Sequence, residues 1–349
     1  MSLIDIVFVT LMAVVLLSLV FDYINGFHDS ANAIATVVST RVLSPSQAIM
    51  MAAVLDFAGA LTSTEVAKTI SSGILDEKMV TQVVVLSAVL GAIVWNLMTW
   101  WFGIPSSSSH ALIGGLIGAA AVYNGGFGML HWDTLTKRVL LPIVGSPLAG
   151  LIVGYLLMLA LLWIFRRSAP EKVNRHFRKM QVVSSALMAF SHGTNDAQKA
   201  MGLITLALSV PAAAAHWPWP STLPVHGAVP TWVILACATA MACGTAGGGW
   251  RIIHTMGSKI LRLQPIHGFA AETAASIVLQ VAASLKMPVS TTHVIVSSIM
   301  GVGATRRLSA VRWGVAGNIL TAWVLTLPAA GTIAAITYKI VSFFLGSGA

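Results

Sequence analysis

Three features of this sequence predict an all-α polytopic membrane protein built as two inverted-topology repeats, with interrupted helices and helix starts at the midplane. Of its 349 residues 56% are hydrophobic and 9% charged, against about 25% charged in soluble domains. Apolar runs of helical length recur along the chain, and the mean hydropathy is +0.84. Two polar motifs each occur twice, once in each half.

The runs 3–21, 83–102, 139–165, 229–246 and 313–337 are long enough, or nearly so, to cross about 30 Å of hydrocarbon at 1.5 Å per residue. Ten crossings are expected in all: 3–40 and 180–210, both interrupted by polar residues, with 47–70, 80–101, 105–123, 138–165, 229–250, 266–286, 288–303 and 312–340. The N-terminus MSLIDIVFVT lacks a basic start, so no cleavable signal peptide is expected.

Charge orients these segments. The chain carries a net +9, but six Lys/Arg crowd into residues 166–179. That clustering marks a cytoplasmic loop rather than a nucleic-acid surface. No Lys or Arg precedes Arg41, which places both termini outside once ten crossings are counted. Arg251, Lys259, Arg262, Arg306 and Arg307 then fall inside, and the loop 211–230, without formal charge apart from its histidines, falls outside. The loop divides the chain into a first repeat, 1–165, and a second, 180–349. Cys237 and Cys243 share one apolar span and read as buried, inert thiols.

The first motif is NGFHDSANA, residues 25–33, echoed as SHGTNDAQKAM, 191–201. Gly26, His28, Asp29, Asn32 and Ala33 match Gly193, Asn195, Asp196, Lys199 and Ala200, each 167 positions on. Ionisable groups inside a membrane are costly and by default mark a site. Glycine before each acid suggests an unwound break, where carbonyls and the oxygens of Asp, Asn25, Asn32, Asn195 or Gln198 could hold a hard cation or a proton. The second motif, GIPSSSSH (103–110), recurs as KMPVSTTH (286–293). Proline followed by hydroxyls is a helix-start signal. Ser106, Ser107, Ser108 and Ser109, with Ser290, Thr291 and Thr292, would set two positive helix ends around a tetrahedral oxyanion. His110 and His293 are expected to orient backbone or hydroxyl groups.

An odd number of crossings per half means that the copies insert upside down relative to each other, as in many secondary transporters. The adjacent Ser109 and His110 invite a hydrolase reading, but neighbours in sequence are not a nucleophile–base pair. A metal-ion channel is a further, weaker alternative. GGLIG (114–118) reads as helix packing. Asp56, Glu65, Lys68 and Glu272 are further polar candidates within spans; Glu65 and Lys68 can pair, and Glu272 has no evident local partner. Trp95, Trp100, Trp101, Trp217 and Trp219 read as interfacial belt residues.

At GFHDSANA, GTNDAQKA, PSSSSH and PVSTTH the chain resembles the inorganic phosphate transporter (Pit) family, over nearly its whole length. WNLMTWWFGIPSSSSH and FSHGTNDAQKAMGL are most similar to its bacterial low-affinity, proton-linked branch. The resemblance implies a symporter importing inorganic phosphate across a bacterial-type plasma membrane, alone or as a complex with a divalent metal, by alternating access. The hydroxyls of the Pro-led motifs would bind phosphate, and Asp29, Asn32, Asn195 and Asp196 would bind the cation or substrate. It implies no cofactor beyond a co-transported proton or sodium, and by analogy a homodimer. Two departures from the sodium-coupled pattern stand out: His28 where the repeat has Asn195, and Lys199 where the repeat has Asn32. Lys199 could supply a fixed positive charge in place of sodium and His28 could titrate, or Lys199 could simply neutralise Asp196 or Asp29. A sulfate permease of the same fold is the rival, since hydroxyl-rich helix ends suit both anions.

Overall fold

A computed structural model describes residues 3–76, 79–210, 223–224, 228–305 and 307–345, with side chains from Ile6 onward. Trp217, Trp219, Arg306 and most of the 211–230 loop lie outside them. Twelve helices account for almost all of it. The first half holds α1 (Leu3–Ser39), α2 (Pro45–Ala60), α3 (Glu65–Ser72), α4 (Gln82–Trp101), α5 (Ser108–Asn124) and α6 (Trp132–Ile164). The second holds α7 (Pro170–Ser209), α8 (Thr231–Gly247), α9 (Trp250–Lys259), α10 (Pro265–Ser284), α11 (Thr291–Ala304) and α12 (Trp313–Leu345).

The same order appears in each half. A long helix comes first (α1, α7), then a bent pair: α2–α3 at 66° and α8–α9 at 59°. A 20-residue helix follows (α4, α10). Next comes a short helix capped by serine (α5, α11), then a peripheral helix with an internal proline, Pro147 in α6 and Pro328 in α12. Packing is reciprocal: α1 lies on α8 as α7 lies on α2, and α5 lies on α12 as α11 lies on α6.

The helix breaks are not where the sequence suggests. NGFHDSANA lies inside continuous α1, and SHGTNDAQKAM inside continuous α7. Their glycines serve close approach instead. A Cβ on Gly26 would lie 2.9 Å from Thr245 N of α8, and one on Gly193 would lie 2.6 Å from Asp56 Cα of α2. The bends fall after Ala60 and at Gly248, whose φ of +69° a side chain would resist. GGLIG packs as expected: Gly114, Gly115 and Gly118 face the backbones of Leu327, Ala88 and Gly331.

Among the described residues five helices have the length and hydropathy to span, or up to seven if each bent pair is one span. At 17 and 14 residues, α5 and α11 reach only about 26 and 21 Å, short of a 30 Å core. Cys237 is buried as expected, but Cys243 is exposed on the outer face of α8. Of the expected belt residues, only Trp101 among those described is mainly exposed; Trp95 donates to Thr326 and Trp100 packs edge-on against Phe27.

Two apolar cores form, and the site lies where they meet. Residues from Leu11 to Ile24 of α1 belong to one core and Ala31 to Val37 to the other. Likewise α7 leaves the second core after Ala189 and enters the first at Ala197. Each polar motif occupies the crossover.

Candidate functional site

The two Pro-led motifs are helix starts, as their chemistry requires. Ser107 is the N-cap of α5 and accepts from His110 N at 3.2 Å; Ser290 caps α11 and accepts from His293 N at 3.2 Å. Each cap fills one of the N–H groups a helix leaves unpaired. All seven hydroxyl residues are buried. Ser109 Oγ donates to Val289 O at 3.0 Å, bracing one start against the other. Its proton therefore goes to a carbonyl and not to the neighbouring His110 imidazole.

The remaining hydroxyls meet the polar stretches of α1 and α7. Asn32 Nδ2 donates to Thr291 Oγ1 at 3.1 Å and Thr292 Oγ1 at 3.0 Å. Thr291 donates to Asp196 Oδ2 at 3.2 Å, Thr292 to Asp29 Oδ1 at 3.4 Å, and Ser108 to Asp29 Oδ2 at 3.3 Å. His28 Nδ1 lies 2.6 Å from Asp29 Oδ1, while its Nε2 contacts Thr99 at 3.2 Å and Ser106 at 3.5 Å. Lys199 Nζ sits 2.7 Å from Asp196 Oδ2, so the lysine pairs with its neighbouring acid.

Ligand atoms of Asp29, His192 and Asp196 all lie within 4.8 Å of one another. Around them Asn32 Oδ1, Asn195 Oδ1 and Asp196 Oδ1 are buried without hydrogen-bond partners. Two carboxylates and amide oxygens are suited to a hard cation, and hydroxyls at a helix start to an oxyanion. The two donor sets share one buried junction of α1, α5, α7 and α11.

Several predicted residues have other work. Gln198 Oε1 accepts from Val66 N at 2.7 Å and Ala67 N at 3.1 Å, capping α3, whose own N-cap Thr64 makes no side-chain bond. It is a brace and not a cation ligand. His110 and His293, expected to orient backbone or hydroxyl groups, pack through their rings. Their rings meet edge-on at 4.6 Å, His293 stacks 3.8 Å from Trp323, and Trp323 Nε1 donates to Pro105 O at 3.1 Å. Asn25 Nδ2 makes only a 3.9 Å contact with Met241 sulfur. Glu272 stands apart from the junction, accepting from Thr36 of α1 and from Gln181 and Ser184 of α7. Glu65 pairs with Lys68 as expected, and also with Lys286, at 2.7 Å each.

Sequence reasoning missed Thr99, which nothing local marks. It also missed His192, which sits 3.4 Å from Asp196 and 3.0 Å from Asp56, while Asp56 also accepts from Thr245 at 2.5 Å. A signal existed: His192 lies 167 positions after Asn25 and one turn before Asp196.

Against known proteins, residues 25–334 match the model of the phosphate transporter family. A "Probable low-affinity inorganic phosphate transporter" of Bacillus subtilis (strain 168) is 46% identical, over 97% of this chain and 99% of its own. A protein of Rhizobium meliloti (strain 1021) with the same description is 49% identical over 95% and 96%. In three dimensions the chain is similar to a solved structure titled "The sodium-dependent phosphate transporter", with a TM-score of 0.86, 24% identity, and coverage of 96% of this chain and 99% of that one.

Proposed function

The chain belongs to the phosphate transporter family, and from that premise we propose that it imports inorganic phosphate together with a cation, by alternating access. The observation that carries this reading is the shared junction: Thr291 and Thr292 of one helix start hold both Asp196 and Asp29, and Ser108 of the other holds Asp29 as well. An anion drawn to the hydroxyls and a cation drawn to the carboxylates each lower the cost of burying the other. Joint occupancy is therefore favoured, and that is what a symporter requires. A divalent metal travelling with phosphate fits the same donor set.

The two halves, 1–165 and 180–349, act as inverted copies rocking about this junction. Their repeated element order and reciprocal packing support that relation. The basic 166–179 segment is cytoplasmic by its charge, and inversion then sets both chain termini on the opposite face. Pairing of Lys199 with Asp196 supports neutralisation, with the lysine also holding a positive charge where the repeat has Asn32. Phosphate is favoured over sulfate because near-neutral phosphate still carries protons to donate to Asp29 or Asp196, whereas sulfate presents only acceptors to them.

Equilibrium binding of radiolabelled phosphate to purified protein, with and without sulfate, tests this. Thr291→Val and Thr292→Val keep shape but remove the hydroxyls, and each should weaken binding about tenfold, the equivalent of roughly 1.4 kcal/mol. Wild-type affinity in both variants would sink the assignment.

A further inference from the structure

Among the described residues five acidic side chains are buried, and four have partners. Asp29 has His28 at 2.6 Å, Asp196 has Lys199 at 2.7 Å, and Asp56 has His192 at 3.0 Å. Glu272 accepts from three uncharged donors. The fifth, Asp22 of α1, is fully buried, and neither of its carboxyl oxygens has a hydrogen-bond partner. It shares a helix face with Ser18, Asn25 and Asp29 at spacings of four, three and four residues, two turns from the junction. Ser18 Oγ and Asn25 Oδ1 on that face also lack partners.

We propose that Asp22 is the proton-carrying group of this transporter. A buried carboxylate whose oxygens accept from no donor is costly to ionise in a membrane interior, whereas the same group holding a proton is tolerated. The Ser18 hydroxyl and the Asn25 amide do not reach Asp22, so its surroundings lack the converging donors a metal ion needs; a proton needs none. The charged and titratable groups close enough to act on it electrostatically are Lys199, Asp196 and His192 from α7, Asp56 from α2 and Cys237 from α8. Among these Lys199 is the lever. While Lys199 is held by Asp196, the pair is neutral and Asp22 keeps its proton. When the cycle separates that pair, an unmatched positive charge within reach favours release. Phosphate arriving at the helix starts adds negative charge and favours proton uptake, so by reciprocity proton loading tightens phosphate binding.

This rests on the phosphate-symport reading, and proteoliposome experiments keep the two separable. Asp22→Asn mimics the proton-loaded side chain. With acid outside, wild type should accumulate labelled phosphate, and D22N should show the level seen without a gradient. Phosphate–phosphate exchange by D22N should stay within about twofold of wild type. Accumulation by D22N equal to wild type would overturn the proposal, as would loss of exchange in a folded, monodisperse variant. If D22N does not fold, Asp22→Ser carries the same expectation, and failure of both to fold would assign Asp22 a structural role and overturn it too. Wild-type uptake driven by sodium alone would end this inference and leave the phosphate reading standing. No phosphate uptake by wild type at all would end the phosphate reading first.

Discussion

Replacing Gly193 by alanine should damage the site without touching any of its ligands. The new Cβ would lie 2.6 Å from Asp56 Cα and 2.7 Å from its carbonyl carbon, where ordinary contact begins at 3.4 Å. Backbone cannot rotate away as a side chain can, so α7 and α2 must part by nearly 1 Å. That stretches the 3.0 Å His192–Asp56 contact toward 4 Å, beyond hydrogen bonding. Overpacking costs about 1–3 kcal/mol, and a buried hydrogen bond to a charged group contributes about 1.5–3 kcal/mol. At roughly 2 °C per kcal/mol for a large domain, the thermal midpoint in detergent should fall on the order of 5–10 °C. Phosphate uptake should fall with it, since Asp196 shares His192. Gly145→Ala is the control, because its Cβ would meet nothing within 4 Å. A G193A midpoint and uptake indistinguishable from those of G145A would refute the close-packing role and revive a helix break at this glycine.

Other substitutions separate the remaining roles. Ser107→Ala and Ser290→Ala each remove an N-cap, a loss of about 1 kcal/mol, and should lower both the unfolding midpoint and phosphate affinity. A midpoint unchanged in either variant would count against the cap. Glu272→Ala strands three donors from α1 and α7 and should destabilise by several kcal/mol, whereas Glu272→Gln should stay folded. Equal midpoints for the two would show that the donors do not depend on the carboxyl group. Lys199→Asn restores the residue type of Asn32 at the matching position and should confer a sodium response on uptake. A variant with none, and with its proton response intact, would remove Lys199 from ion choice.

What the sequence made legible is the local chemistry. Pro105 and Pro288 followed by hydroxyls specify helix starts because the cap bond spans only three residues, and the structure has both. The paired acids were visible because a charge in an apolar run is hard to explain otherwise. Glycine before an acid was ambiguous. It suits an unwound turn or a close backbone approach, and only the presence of α8 opposite Gly26 and α2 opposite Gly193 decides. Gln198 was misjudged because its partners, Val66 and Ala67, are more than 130 positions away. Glu272 lacked a partner in sequence for the same reason: its donors lie 236, 91 and 88 residues distant. The place of the polar motifs at the crossover of two cores has no signature in either motif alone.

The most direct test of the central claim is radiolabelled phosphate uptake into proteoliposomes, with sulfate in competition and proton and sodium gradients imposed separately. Concentrative phosphate uptake driven by a cation gradient and unaffected by excess sulfate is the predicted result. Strong inhibition by sulfate with little phosphate accumulated, or uptake that no cation gradient changes, would contradict a junction that binds phosphate and cation together.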